Sequence, residues 1–271
     1  MRVTIRSTRA PVADGRHWQL DGCGWVPWAT WFWYVSRGGA SPDDLAELWP
    51  AVDHAAGYVA RTLGPNGLPP VSPDYWETSE KYVTIGTVAP LPAGLRSAAA
   101  LASVLGERSA QVRYAKAASR LDHAIGERFA SRGYPRSTKE GSGADTAVTF
   151  VAPPFAPADP DVLAAVRATA RTLALPNGGM LPGEDWPADP NQAWTCETCW
   201  FALAFAASGH ADESDRWLRW VDGHRTELGA IPEKIDSAGR PNSVAPFGWT
   251  AAVVLLALTA RERELSIPPI P

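Results

Sequence analysis

Ser41-Pro42-Asp43-Asp44-Leu45-Ala46-Glu47-Leu48-Trp49-Pro50-Ala51-Val52-Asp53-His54-Ala55-Ala56-Gly57-Tyr58-Val59-Ala60-Arg61-Thr62-Leu63-Gly64-Pro65 is the stretch whose reading decides the fold. Leu45, Leu48, Trp49, Val52, Ala56, Val59 and Ala60 recur at three- and four-residue spacing, which predicts one helix over 43–63. Ser41 is placed to cap it, and Gly64-Pro65 to stop it. A connection of a few residues, Gly38-Gly39-Ala40-Ser41, precedes this helix. A long loop rich in Pro and Gly, 64–84, follows it.

Working outward, the pattern repeats. Helical spacing returns over 91–105, 110–129, 161–173, 195–207, 213–224 and 250–264. Residues 25–35 are apolar on all sides and read as a buried helix. Period-two strands are absent. Short connections, such as Gly106-Glu107-Arg108 and Gly209-His210-Ala211-Asp212, alternate with long loops over 64–84, 131–144, 176–193 and 229–248. That alternation predicts an all-α, helix-hairpin toroid of the (α/α)6 kind, in one domain over 1–271. Short turns close one face and long loops build a site on the other. At most five hairpins are readable, so the ring is expected to be incomplete or closed by something else.

The net charge is -4 over 271 residues, with no basic stripe, which argues against nucleic acid and anionic membranes. No segment has the length of a membrane span, and the N-terminal Met1-Arg2-Val3-Thr4-Ile5-Arg6 lacks a secretory apolar run, so a cytoplasmic location is expected. Three cysteines make no disulfide framework. Cys196 and Cys199 could form a redox pair, or two small apolar residues on one helix face; they lack the second ligand pair of a zinc site. Thirteen tryptophans are more than a core of this size absorbs, and several sit in loops beside Pro, Gly and Asp, where they point to a binding surface.

Two acidic loops carry the candidate chemistry. One is Ser72-Pro73-Asp74-Tyr75-Trp76-Glu77-Thr78-Ser79-Glu80; the other is Ile231-Pro232-Glu233-Lys234-Ile235-Asp236, running on to Pro246-Phe247-Gly248-Trp249. Each puts a carboxylate beside an indole in a long loop. Two carboxylates brought together from distant loops are the equipment for hydrolysing a glycosidic bond, and indoles offer flat faces for a sugar ring. Glu77, among apolar residues, has the setting of a general acid. Lys234, if turned inward, would supply Glu233 with the positive charge that suits a base. Either glutamate alone could equally be a solvated loop residue.

These motifs, in this order, resemble the glucoamylase family, glycoside hydrolase family fifteen. Asp74-Tyr75-Trp76-Glu77 resembles its acid segment, and Pro232-Glu233-Lys234-Ile235-Asp236 followed by Trp249-Thr250-Ala251-Ala252 resembles its base segment and next helix. Pro182-Gly183-Glu184-Asp185-Trp186 with Gln192-Ala193-Trp194-Thr195-Cys196 resembles its substrate loop, and Gln19-Leu20-Asp21-Gly22 the opening of its third helix. The sequence departs from the family where Met180-Leu181 replaces an arginine and Thr78 a second glutamate, and the family's first helix pair has no counterpart.

The resemblance implies an exo-acting, inverting α-glucosidase without metal or organic cofactor. Glu77 would be the acid and Glu233 the base. Tyr75, Trp76, Glu184, Asp185, Trp186, Trp194 and Trp249 would surround the sugar. Asp74 would polarise the acid or hold a substrate hydroxyl, unless it is only a turn residue. A non-catalytic carbohydrate-binding or scaffold protein derived from such an enzyme is the alternative. A terpenoid-type cyclase would require an Asp-rich motif that is missing. With the first helix pair absent, Trp25, Trp28, Trp31, Phe32 and Trp33 are expected to leave an apolar stripe, covered by a second copy, a partner chain or the chain's own termini.

Overall fold

A computed structural model describes residues 18–36 and 41–270. The N-terminal segment read above, most of the turn before Ser41, and Pro271 lie outside the described residues. The predicted helices appear as α1 (Gly22–Ser36), α2 (Pro42–Thr62), α4 (Pro90–Val104), α5 (Arg108–Arg128), α6 (Pro160–Leu173), α7 (Thr195–Ala207), α8 (Ala211–Gly223) and α9 (Gly248–Glu262). A four-residue turn of helix, α3 (Ile85–Val88), precedes α4, and a 3-10 segment spans Thr146–Val151. Ser41 caps α2 through a capping box: its side chain accepts from the Asp44 amide, and Asp44 accepts from the Ser41 amide. Asp159 caps α6 with Pro160 in the first turn.

The helices pair as hairpins. α1 packs on α2, α4 on α5, the 3-10 segment on α6, and α7 on α8. The inner members also touch one another: α1 lies on α4, α3 and the 3-10 segment meet, and the 3-10 segment lies on α7, which carries α9. This is the helix-hairpin toroid, with inner positions α1, α4, Thr146–Val151, α7 and α9 among the described residues. The α1–α4 crossing is close because both helices present glycine there. A Cβ on Gly94 would stand 2.4 Å from the Gly24 carbonyl oxygen, nearer than any side chain can approach.

Three two-residue strands, invisible to periodicity, join the long loops. β1 (Ala193–Trp194), β2 (Lys234–Ile235) and β3 (Pro241–Asn242) form an antiparallel sheet in that order, with Trp194 opposite Lys234.

The apolar stripe expected on α1 is corrected. Most of its aromatic side chains turn into the chain's own core: Trp28 is 8% and Trp31 5% exposed, Trp25 packs edge-on to Phe150 and Phe155 and flat on Trp200, and Phe32 stacks on Trp28, while Trp33 is half-buried. The exposed large apolar side chain of α1 is Val26, and Trp249, Leu255 and Leu258 are exposed on α9. No described helix is long and apolar enough to cross a membrane.

Candidate active site

Two of the inner helices, α7 and α9, begin at one cavity of about 490 Å³. Tyr75, Trp76 and Glu77 come from the loop before α3; Pro182 and Trp186 from the loop before β1; Trp194, Cys196 and Glu197 from the start of α7. Glu233, Lys234, Phe247 and Trp249 complete the lining. Helix N-termini carry partial positive charge, so the starts of α7 and α9 at its wall favour carboxylates and oxygen-rich ligands there. A larger groove, about 930 Å³, runs between α1 and α2, but no carboxylate lines it.

The Glu77 loop is held from below. The Asp74 carboxylate accepts from the Trp76 amide at 3.0 Å, from Thr84 Oγ1 at 2.7 Å, and from both terminal nitrogens of Arg136 at 3.2 Å. Arg136 also bonds Asp145 at 2.6 Å and Glu80 at 2.6 Å, and its guanidinium lies 3.3 Å from the centre of the Trp76 ring. Tyr75 donates to Asp145 at 2.7 Å. Burial pushes the Asp145 carboxyl up to about 6, against the pull of Arg136, so it stays ionised beside that cation at neutral pH. On this base the chain turns sharply. Glu77 takes φ of 57°, a left-handed conformation that costs a residue with a Cβ about 1–2 kcal/mol. The turn leaves Glu77 exposed at the rim of the cavity.

Glu233 is held differently. Its amide donates to the Val244 carbonyl, and its own carbonyl accepts from the Thr195 amide at 3.0 Å. The Thr195 hydroxyl stands 2.7 Å from the Pro232 carbonyl, 3.1 Å from the Glu233 carbonyl and 2.7 Å from the Thr250 hydroxyl. The Glu233 carboxylate accepts from Ser243, and Lys234 Nζ lies 3.8 Å from the same oxygen and 4.0 Å over the Trp194 ring. Lysine and hydroxyl therefore both act on one carboxylate oxygen.

Three indoles form a perpendicular series. Trp76 and Trp186 centres are 5.0 Å apart at 86°, and Trp186 and Trp194 centres 5.1 Å apart at 82°. Gly183 lets this loop close on Trp76, since a Cβ there would stand 2.6 Å from the indole. The indole nitrogens of all three have no hydrogen-bond partner among the described residues.

The structure brings Tyr75, Trp76, Glu77, Trp186, Trp194, Glu233 and Trp249 together at the cavity and keeps three expected residues out of it. Asp74 is fully buried and spends its acceptors on Arg136, Thr84 and the Trp76 amide, so it shapes the turn instead of meeting a ligand. Glu184 and Asp185 point outward and accept from the amides of Ala144 and Gly143, which pins the 182–186 loop to its neighbour. Cys196 and Cys199 are buried and unpaired by any disulfide, and burial pushes both thiols up, out of the range of reactive thiolates.

One lining residue escaped the sequence reading. Glu197, in the first turn of α7, is 4% exposed, and burial pushes its carboxyl up to about 8. The signal was available: Glu197 is the one charged residue in the otherwise uncharged, largely apolar run Thr195–Ala207, so it has no polar face to share.

No family model and no curated protein matches the sequence. Solved structures do match. A glycosidase superposes with a TM-score of 0.74 at 20% identity, over 91% of this chain and 68% of that one. A glycoside hydrolase family 15 glucoamylase from Hypocrea jecorina gives 0.72 at 16% identity, over 94% of this chain and 53% of that one. A bacterial glucoamylase solved with acarbose gives 0.65 at 15% identity, over 93% and 42%. This chain thus spans about half of each glucoamylase or less. At these identities the likeness shows the fold: the chain carries the helix-hairpin toroid found in glycosidases and glucoamylases.

Proposed function

We propose that this chain is a glycoside hydrolase of the glucoamylase kind, releasing glucose from the ends of α-glucosides with inversion. The observation that carries this reading is that Glu77 and Glu233, from loops far apart in sequence, line one cavity together with Trp76, Trp186, Trp194 and Trp249. The cavity volume falls in the range that takes a small ligand. Glu77 protonates the glycosidic oxygen as the bond from that oxygen to C1 breaks. Glu233 takes a proton from water as the water oxygen bonds C1 from the opposite face. The sugar leaves as the inverted hemiacetal, and the two protons re-equilibrate with solvent. An inverting pair stands roughly 6.5–9.5 Å apart, with room for that water. Lys234 keeps positive charge beside the base, and the indoles supply apolar surface to the ring faces.

Maltose, isomaltose and longer α-glucosides, followed by proton NMR, test this. Release of glucose as the β-anomer first supports inversion; the α-anomer first refutes it. The placement of Asp74, Glu184 and Asp185 outside the cavity leaves its wall fewer polar groups to act on a sugar and favours one second reading, a carbohydrate-binding protein without turnover. Glucoside binding without release of glucose by the unaltered chain would select it.

A further inference from the structure

We propose that Glu197 selects the sugar in this cavity by hydrogen-bonding one of its ring hydroxyls. The inference rests on the carbohydrate reading above and goes beyond it, because neither the acid nor the base role uses this residue.

Glu197 is the most buried of the three glutamates lining the cavity. It is 4% exposed, Glu233 keeps 19% of its side chain exposed, and Glu77 is open to solvent. Its Oε2 has no hydrogen-bond partner among the described residues. A buried carboxyl oxygen without a partner costs about 1–3 kcal/mol, and buried polar groups in folded proteins are rarely left so. The helix around it cannot turn the group toward bulk water, since its neighbours from Thr195 to Ala206 are all buried. Its backbone is fixed as well: Thr198 Oγ1 donates to the Trp194 carbonyl at 2.7 Å, and Thr195 is tied to the Glu233 loop. A rigid carboxyl with one unpartnered oxygen, in a residue that lines a cavity, is a binding group in search of a ligand atom. The unpartnered indole nitrogens of Trp76, Trp186 and Trp194 belong to the same lining.

The charge state says which ligand atom fits. Glu233, Lys234, Asp145 and Tyr75 act on Glu197 from the neighbouring elements, and Cys196 and Cys199 from its own helix. Burial first, then Glu233 and Asp145, hold the carboxyl up at about 8 against the pull of Lys234. At neutral pH it is a carboxylic acid, able to donate one hydrogen bond and accept another. A sugar hydroxyl has the complementary pair of capacities, whereas an anion would lose the acceptor interaction and a cation the donor. Above pH 8 the group becomes a second negative charge near Glu233 and can only accept.

Quenching of tryptophan fluorescence, titrated with glucose and its 2-, 3-, 4- and 6-deoxy analogues, tests the assignment without requiring turnover. Glu197→Ala should weaken glucose by on the order of tenfold. One deoxy sugar should bind the unaltered protein about as weakly, and lose nothing further in the Ala variant. Glu197→Gln, which still donates and accepts, should weaken glucose less than Ala does. The fall in affinity of the unaltered protein as pH passes about 8 should vanish in the Gln variant; both Cys196 and Tyr75 titrate higher. Equal glucose affinity in the Ala variant, or additive losses for every deoxy sugar, would overturn the assignment while leaving the carbohydrate reading intact. A folded, unaltered protein that binds none of these sugars would overturn both.

Discussion

At the scale of single residues, each carboxyl has its task set by what surrounds it. Glu77 is presented by a turn, Glu233 is gripped by a lysine and a serine, and Asp74 is consumed by an arginine. If Glu77 and Glu233 are acid and base, Glu77→Gln and Glu233→Gln will each lower kcat on a natural α-glucoside by about 10²–10⁴-fold, with unchanged helical circular dichroism. Wild-type turnover in either variant would remove that residue from the mechanism. Arg136 makes a different prediction, because it neutralises Asp74, Asp145 and Glu80 at once. Arg136→Ala strands buried carboxylates, which costs about 3–5 kcal/mol when one partner of a buried pair is removed. A urea midpoint that fails to drop would show that the network contributes little. None of this was readable around Asp74: Arg136 lies in the next long loop, and the sequence shows no sign that the two meet. Glu197 was partly legible, since a single acid in a helix with no other charge is placed to be buried, but the nearness of Glu233 depends on a strand pairing that no local pattern announces.

The existence and bounds of the helices were legible even where no face is wet, as in α7, but the direction in which such a helix turns its side chains was not. The stretch that became α2 has polar and apolar sides, a capping box and a Gly-Pro stop, and its observed bounds lie within a residue of those expected. α1 has no polar side, so its sequence could not say which tryptophans face inward; the inner ring decided, through Phe150, Phe155 and Trp200. The small sheet escaped notice because two-residue strands are shorter than the alternation that reveals strands. The crossing of α1 and α4 gives this scale its prediction. Alanine is the better helix former than glycine by about 1 kcal/mol. Gly94→Ala nonetheless sets a methyl 2.4 Å from the Gly24 carbonyl, and overpacking of that kind costs about 1–3 kcal/mol. A net fall in Tm is expected; a rise would mean that the two helices part without penalty.

At the scale of the whole molecule, burial of acids gives stability a definite pH dependence. Glu197 is held up at about 8, Asp21 at about 7 and Asp145 at about 6, each chiefly by burial. Unfolded, all three return to the ordinary carboxylate range near 4. Through these three groups the folded chain binds more protons than the unfolded one between about pH 4 and pH 8, so the stability they contribute is full below that window and is lost as pH rises through it. Denaturant midpoints should be higher at pH 5 than at pH 8.5, and Glu197→Gln should remove the upper part of the decline. A midpoint that climbs from pH 5 to pH 8.5 would contradict the buried acids.

The hydroxyl of Thr195 touches the carbonyls of Pro232 and Glu233 and the hydroxyl of Thr250, so one oxygen joins the starts of α7 and α9 to the loop that bears Glu233. Its consequence is temporal. With the clamp closed, the Thr195 and Glu233 amides, which bond Glu233 and Val244, can exchange their hydrogens with solvent only when the α7–loop–α9 junction opens as a unit. Thr195→Val keeps the shape and removes the clamp. Exchange at these two amides should then quicken by more than at the α5 interior, and the proposed base should lose turnover ahead of any loss in Tm. Equal acceleration everywhere would mean that the junction has no opening of its own and that Glu233 moves only when the whole ring does.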